Sequence, residues 1–155
     1  MAELSMYRHV LVPLENTPYD AAILAHVRAL ATLCNSRVTL IHVADGFAAR
    51  NLQSLKLRES EEMRTDRAYL DQCAAELAAA DLDVDAVLAS GDPASEICAA
   101  AEREACDLIA MATHGHGFIN DVVRGSVANQ VRHKTLIPVL MVRGVPTPAA
   151  PRSAL

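Results

Sequence analysis

Five short apolar runs, separated by segments of helical pattern, constrain the fold of this chain more than any other feature. The runs are rich in Val, Ile and Leu, and they span Arg8–Leu14, Arg37–Val43, Val84–Ser90, Asp107–Ala112 and Ile137–Arg143. Parallel strands need long crossover connections, which helices supply, and strands covered on both faces are continuously apolar. The pattern therefore predicts an α/β fold with a parallel sheet between two helical layers.

The segments between the runs carry signals for the start of helices. Thr17 followed by Pro18 is typical of an N-cap and a first helical residue, and Asp20 then stands at the capping-box position. The first predicted helix has Thr17 as its N-cap, and the second runs from Asp66 to Ala80. The third begins at Asp92-Pro93, and the fourth runs from Ser126 to about Lys134. The charged stretch Lys56–Arg67 is interpreted as a solvated helix face or a mobile crossover.

Length and charge limit the class of protein. A chain of 155 residues fits one domain, assigned to residues 1–143, and the Pro-rich segment 144–155 is predicted to be a disordered tail. The net charge of −5 and the absence of a Lys/Arg run argue against a nucleic-acid partner. No leader-like N-terminus or membrane-length apolar run is present, so we expect a cytoplasmic protein without a membrane partner.

The four cysteines are Cys34, Cys73, Cys98 and Cys106, and they form no C-x-x-C pair. Each lies in an apolar helical context, which favours buried free thiols over disulfides or a zinc site. A reducing compartment is therefore expected.

One glycine-containing motif follows the fourth apolar run. It consists of Ala112, two residues, Gly115, nine residues and then Gly125-Ser126, which begin the last predicted helix. Glycines allow close approach of the backbone to an anion, and the free N–H groups of a helix N-terminus favour negative charge. The motif predicts a phosphate loop. It is neither a P-loop nor a dinucleotide fingerprint, since the Lys-Ser/Thr pair and the third glycine are missing.

From Tyr7 to Arg143 the chain resembles the universal stress protein family. The resemblance lies in HVLVPLENTPYDAAIL, RVTLIHVAD, GDPASEI and DLIAMATHGHG, and in the family motif G-x2-G-x9-G-[ST], which has Ala112 at its first position here. It implies a flavodoxin-like (adenine nucleotide alpha hydrolase-like) three-layer sandwich with five parallel strands in the order 3-2-1-4-5. It also implies ATP or another adenine nucleotide as ligand, with Mg²⁺ as a companion ion.

The resemblance assigns the nucleotide site to loops at the carboxyl ends of the strands. The general rule for open α/β sheets selects the same loops, at the switch point between the first and fourth strands. The nucleotide-binding residues carried over are Pro13, Leu14, Glu15, Val43, Met111, Ala112, Gly115, His116, Gly125, Ser126 and Val127. Glu15 would accept hydrogen bonds from ribose or adenine.

Three residues depart from the family pattern. Ala112 replaces a glycine, which costs about 1–2 kcal/mol if the position needs a positive φ and almost nothing if the backbone is extended. Glu15 replaces the more usual Asp, and Asp121 places a negative charge inside the phosphate loop. Bound Mg²⁺ would offset that charge.

Other candidate residues have simpler interpretations. His114, His116 and His133 lack a carboxylate or cysteine at matching spacing, so a metal site is not favoured. Ser126 is expected to cap a helix, since no nucleophile elbow surrounds it. His9 and His42 are interpreted as ordinary strand histidines. No catalytic set of residues is identified.

The last apolar run is expected to be an edge strand. An exposed apolar edge favours pairing with another chain, and in the resembled family this strand forms a two-fold dimer. The predicted interface comprises Ile137, Pro138, Val139, Leu140, Met141 and Val142; a monomer whose tail covers this edge is the alternative.

The sequence thus favours a homodimeric, ATP-binding regulatory module of the stress response, with an unidentified protein partner. A nucleotide-free dimeric scaffold with a degenerate pocket is the first alternative, and a slow ATPase or adenylyl-transfer enzyme is the second.

Overall fold

A computed structural model describes residues 5–45, 56–114 and 127–145. Strands and helices alternate along the chain as β1 (His9–Pro13), α1 (Asp20–Cys34), β2 (Arg37–Asp45), α2 (Lys56–Ala78), β3 (Val84–Gly91), α3 (Pro93–Arg103), β4 (Leu108–His114), α4 (Val127–Lys134) and β5 (Val139–Gly144). The described strands form one parallel sheet in the order β3-β2-β1-β4-β5. This confirms the predicted α/β class and strand order.

The side chains of β1 alternate between two apolar cores, one on each face of the sheet. Val10 and Val12 pack with Ile23 and Val27 of α1 and with Leu70 of α2. On the opposite face, Leu11 packs with Ile97 of α3, Ile109 of β4 and Val131 of α4. Successive residues of a strand point to opposite faces, so a continuously apolar strand supplies both cores at once.

The sheet opens at the carboxyl end of β1, where the direction of winding reverses. β1 pairs with β2 at five positions, from His9–Arg37 to Pro13–Ile41. It pairs with β4 at two, Val10–Leu108 and Leu11–Ile109. The crevice at such a switch point is where open α/β sheets bind ligands.

The start of α1 differs from its prediction. The helix begins at Asp20, after a turn in which the Asp20 N–H donates to the Thr17 carbonyl, and Tyr19 is its N-cap. The carboxylate of Asp20 accepts from the Thr17 N–H at 3.2 Å, as in a capping box. The reciprocal bond is missing, because the buried Thr17 hydroxyl oxygen has no hydrogen-bond partner. The prediction of Thr17 as N-cap is therefore wrong.

Helix α3 begins at its predicted position, whereas α2 begins at Lys56 instead of Asp66 and ends at Ala78 instead of Ala80. Asp92 is the N-cap of α3, and its carboxylate accepts from the Ser95 N–H at 3.0 Å. The charged stretch that begins at Lys56 is part of α2, which makes it helical.

The last strand begins at Val139, two residues later than predicted, and extends to Gly144. Pro138 cannot donate to the sheet, because proline has no N–H. Its carbonyl nevertheless accepts a hydrogen bond from the Ile109 N–H at 3.0 Å, just before the strand begins. Gly144 is one residue beyond the predicted domain boundary. The predicted disorder of the tail stays a prediction, because residues 146–155 lie outside the described residues.

All four cysteines are free thiols. The prediction that each is buried is right for Cys73 and Cys106 and wrong for Cys34 and Cys98, which are half-buried. In the part of the chain that the structure describes, no helix combines the length and apolarity needed to cross a membrane.

Candidate functional site

A cavity of about 230 Å³ lies at the carboxyl edge of the sheet, beside the end of β1. Its lining comes from the ends of β1, β2 and β4 and from the first turns of α1, α3 and α4. The lining residues are Pro13, Leu14, Glu15, Asp20, Ile41, His42, Val43, Pro93, Ile97, Met111, Ala112 and Val127. Apolar walls with a few polar groups are typical of a small-molecule site.

Seven of the predicted site residues are brought together in this cavity: Pro13, Leu14, Glu15, Val43, Met111, Ala112 and Val127. They come from β1 and the turn after it, from β2, from β4 and from the start of α4. The other four, Gly115, His116, Gly125 and Ser126, lie outside the described residues, as does Asp121.

Ala112 lies within β4, where it pairs with Val142 of β5. Among residues 5–45, 56–114 and 127–145, those other than glycine with positive φ are Asn16, Asn35, Asp81 and Ala105, and Ala112 is not one of them. The alanine therefore carries none of the conformational cost that a left-handed position would impose.

The turn after β1 is organised by one buried carboxylate. Asp20 is 1% exposed. It accepts hydrogen bonds from the N–H of Glu15 at 3.1 Å, of Asn16 at 2.8 Å and of Thr17 at 3.2 Å. Glu15 is exposed at the rim of the cavity, and this turn fixes the position of its backbone.

Helix α2 contacts the same turn from outside. The Tyr69 hydroxyl donates to Asp20 at 2.6 Å, and the Asn16 side-chain amide donates to Asp66 at 3.1 Å. Burial and the bond to Asp20 raise the pKa of Tyr69 well above its usual range, so Tyr69 remains a donor. Residues 66 and 69 are three apart, so they lie on one face of the helix.

His42 lies between the cavity and α2. Its Nδ1–H donates to the Leu14 carbonyl at 2.8 Å, which orients the ring. Its Nε2 lies 3.2 Å from an Asp66 carboxylate oxygen, a contact that is an ion pair when the ring is protonated. The end of β2, the turn after β1 and α2 are thus joined by polar contacts at one corner of the cavity.

Sequence reasoning missed five lining residues: Asp20, Ile41, His42, Pro93 and Ile97. The spacing to Thr17 predicts Asp20 as a capping residue but does not assign it to the site. His42 was interpreted as an ordinary strand histidine, although it precedes Val43 at the carboxyl end of a strand, and that position was a usable signal. His9, by contrast, is buried at the opposite edge, bonded to the Glu104 carbonyl and the Thr39 hydroxyl.

The fold and the cavity together define an open, parallel α/β domain with a small-molecule-sized pocket at its switch point. The sequence model of the universal stress protein family matches residues 6–143. The chain therefore belongs to the universal stress protein family.

Individual relatives agree with this assignment. The universal stress protein MJ0577 of Methanocaldococcus jannaschii is 29% identical over 158 residues, covering 89% of this chain and 96% of the relative. A solved structure of MJ0577 superposes with a TM-score of 0.81 at 27% identity, covering 92% of this chain and 99% of that chain.

Two structures with bound nucleotides share the fold at lower identity. A universal stress protein in complex with cAMP has a TM-score of 0.66 at 19% identity, covering 88% of this chain and 97% of its own. The universal stress protein of Archaeoglobus fulgidus in complex with dAMP has a TM-score of 0.61 at 17% identity, covering 87% of this chain and 97% of that chain.

Proposed function

We propose that this chain binds an adenine nucleotide, ATP in the first instance, in the cavity at the end of β1. The observation that carries the proposal is the convergence of seven predicted residues from separate parts of the chain on one cavity. The cAMP and dAMP complexes of two proteins with this fold support the adenine class of ligand.

The lining suits the two halves of an adenosine. Val43, Ile97 and Met111 offer apolar surface against which a flat base can pack. Glu15 lies at the rim, where its carboxylate would accept hydrogen bonds from ribose hydroxyls. The phosphates would then extend toward the motif at Gly115 and Gly125-Ser126, with Mg²⁺ offsetting the charge of Asp121.

We further propose that the protein acts in the cytoplasm as a homodimeric regulatory module of the stress response, whose nucleotide changes its contacts with a protein partner. The free thiols are consistent with a reducing compartment. The outermost position of β5 in the sheet leaves an edge for a second copy.

The first test is to denature freshly purified protein and identify any released nucleotide by mass spectrometry. Calorimetric titration with ATP and Mg²⁺ follows, on the wild type and on Gly125→Asp. We expect stoichiometric adenine nucleotide, or micromolar binding of about −8 kcal/mol that Gly125→Asp abolishes.

A second pair of variants tests the described part of the site. Glu15→Gln removes the charge at the rim and should weaken binding about tenfold or more, because hydrogen bonds to charged groups contribute about 1.5–3 kcal/mol. Glu76→Gln makes the same change on an exposed position of α2 outside this cavity, and it should bind like the wild type.

Absence of bound nucleotide, together with no heat at millimolar ATP, would contradict nucleotide binding and favour the dimeric scaffold. Conversion of ATP to ADP during the titration would favour the slow ATPase.

A further inference from the structure

The turn after β1 has the geometry of an anion-binding nest. Three consecutive N–H groups, those of Glu15, Asn16 and Thr17, point at the same small volume, and Asn16 has the left-handed φ of 59° that such a turn requires. Successive N–H groups arranged in this way, at the start of a helix, bind phosphates and other anions in many proteins.

In this chain a side chain of the protein itself, that of Asp20, occupies the nest. The Asp20 carboxylate lies where a ligand anion would lie, and it is 1% exposed. The Tyr69 hydroxyl supplies a fourth donor at 2.6 Å. A buried carboxylate with four donors is fully solvated by the protein, so it has no need of a cation from solution.

Asp20 also lines the cavity, beside Glu15. Its charge is therefore close to whatever occupies the cavity, and it acts through a medium less polar than water, where like charges repel strongly. Its hydrogen bond to the Glu15 N–H connects the same carboxylate to the backbone of the proposed ribose-binding residue.

We propose that Asp20 is a positioning and specificity-determining residue: it occupies the nest of the β1–α1 turn, fixes the Glu15 backbone and excludes ligand phosphate from this turn. The choice of ligand orientation rests on the proposed nucleotide function, whereas occupation of the nest does not. The phosphates of a bound nucleotide must then extend out of the cavity on the side away from α1.

Removal of the carboxylate should convert the turn into an open anion site. In Asp20→Ala the three N–H groups lose their acceptor, so their hydrogen exchange should accelerate at least about tenfold, or about 1.4 kcal/mol. Inorganic phosphate should then shift the amide resonances of Glu15, Asn16 and Thr17 saturably in a ¹⁵N-labelled sample. The wild type should show neither change.

Asp107→Ala is the matched control. The Asp107 carboxylate accepts from the N–H groups of Arg8 at 2.8 Å and His9 at 3.0 Å, at the other end of β1. Its removal should accelerate exchange at those two amides and leave the turn without a response to phosphate.

Two further variants keep the test decisive if Asp20→Ala fails to fold, as judged by circular dichroism. Asp20→Asn removes the charge at nearly constant size, and Tyr69→Phe removes one donor. Both should weaken protection at residues 15–17, and Asp20→Asn should favour AMP over adenosine relative to the wild type.

The results separate the two proposals. Unchanged protection of the three amides in Asp20→Asn, or no phosphate response in a folded Asp20→Ala, would overturn the role of Asp20. Failure of the wild type to bind ATP, AMP or adenosine would instead overturn the proposed function, and the exchange and phosphate measurements would still decide whether Asp20 fills the nest.

Discussion

Gly144, at the end of β5, has no room for a side chain. A Cβ atom at this position would lie 2.8 Å from the Cβ of Tyr19 and 3.0 Å from its carbonyl oxygen. Tyr19 is the N-cap of α1, so this contact fixes the end of β5 against the start of the helix that borders the site.

Gly144→Ala should therefore destabilise the protein by about 1–3 kcal/mol, the usual cost of overpacking. Arg143→Ala, at the exposed neighbouring position, is the control and should change stability much less. Urea unfolding followed by circular dichroism measures both. Equal stability of Gly144→Ala and the wild type would show that Tyr19 moves aside at no cost.

The buried cysteines should react slowly. Burial, with smaller effects of Glu104 and Asp107, raises the pKa of Cys106 to about 11, and burial also raises the pKa of Cys73. Because the thiolate is the reactive form, iodoacetamide at pH 8.5 should modify half-buried Cys34 ahead of both, and urea should remove the difference. Mass spectrometry of timed samples reports the order; early modification of Cys106 would contradict its burial.

Of the four hydrogen bonds that the Asp20 carboxylate accepts, residue spacing predicted one. Asp20 was identified from its spacing to Thr17, and its carboxylate does accept from the Thr17 N–H. The additional bonds from Glu15, Asn16 and Tyr69 depend on a left-handed turn and on α2, whose Tyr69 lies 49 residues beyond Asp20 in the chain. Spacing within one segment carries no information about such a contact.

At the scale of elements, α3 shows how the start of a helix depends on pH. The Ser95 hydroxyl and then the Ser95 N–H donate to Asp92, with Lys134 of α4 nearby, and these contacts lower the pKa of Asp92. A carboxyl group with a lowered pKa in the folded state stabilises that state above its ordinary pKa, and the contribution disappears as the pH falls through the lowered value.

Asp92→Ala should accordingly lose about 1 kcal/mol at pH 7, as for other N-caps. The difference from the wild type should shrink as the pH falls below about 4. Asp92→Asn keeps a cap without a titrating group, so its gap to Asp92→Ala should stay constant with pH. Urea unfolding between pH 7 and pH 3.5 tests this, and a constant difference between the wild type and Asp92→Ala would be the contrary result.

Elements were predictable because continuous apolar runs have one physical meaning in a sheet covered on both faces. Each predicted strand overlaps an observed one, and the errors are at the ends. β4 extends to His114 because its pairing with β5 continues past Ala112 to Gly144. The start of α1 was misplaced because the Thr17 hydroxyl does not cap, although the residue type favours capping.

At the scale of the whole molecule, β5 is the outer strand of the described sheet on which the proposed dimer depends. Val139 and Ile137 pack against the core cluster of α3 and α4, and Leu140 and Val142 against that of α1 and α2. Met141 is 36% exposed. Among the predicted interface residues, Met141 is the one whose large apolar side chain is exposed.

Met141→Lys should shift a dimer toward monomer, since a charge on an edge strand opposes pairing with a second copy. Leu33→Lys introduces the same charge at an exposed position of α1 and should leave the assembly unchanged. Light scattering after size-exclusion chromatography measures the mass of each. A wild-type mass of one chain would contradict the dimer itself, and a dimeric Met141→Lys would move the interface elsewhere.

Among the described residues, three polar contacts connect α2 to the rest of the site: Tyr69 with Asp20, Asp66 with Asn16, and Asp66 with His42. Their consequence is reciprocal coupling. A molecule that binds the outer face of α2 and displaces it would alter the turn, and hence the affinity of the cavity for its ligand. By thermodynamic necessity the ligand would then alter the affinity of α2 for that molecule by the same factor. Helix α2 lies outside the cavity, but through these contacts it would respond to the occupancy of the cavity.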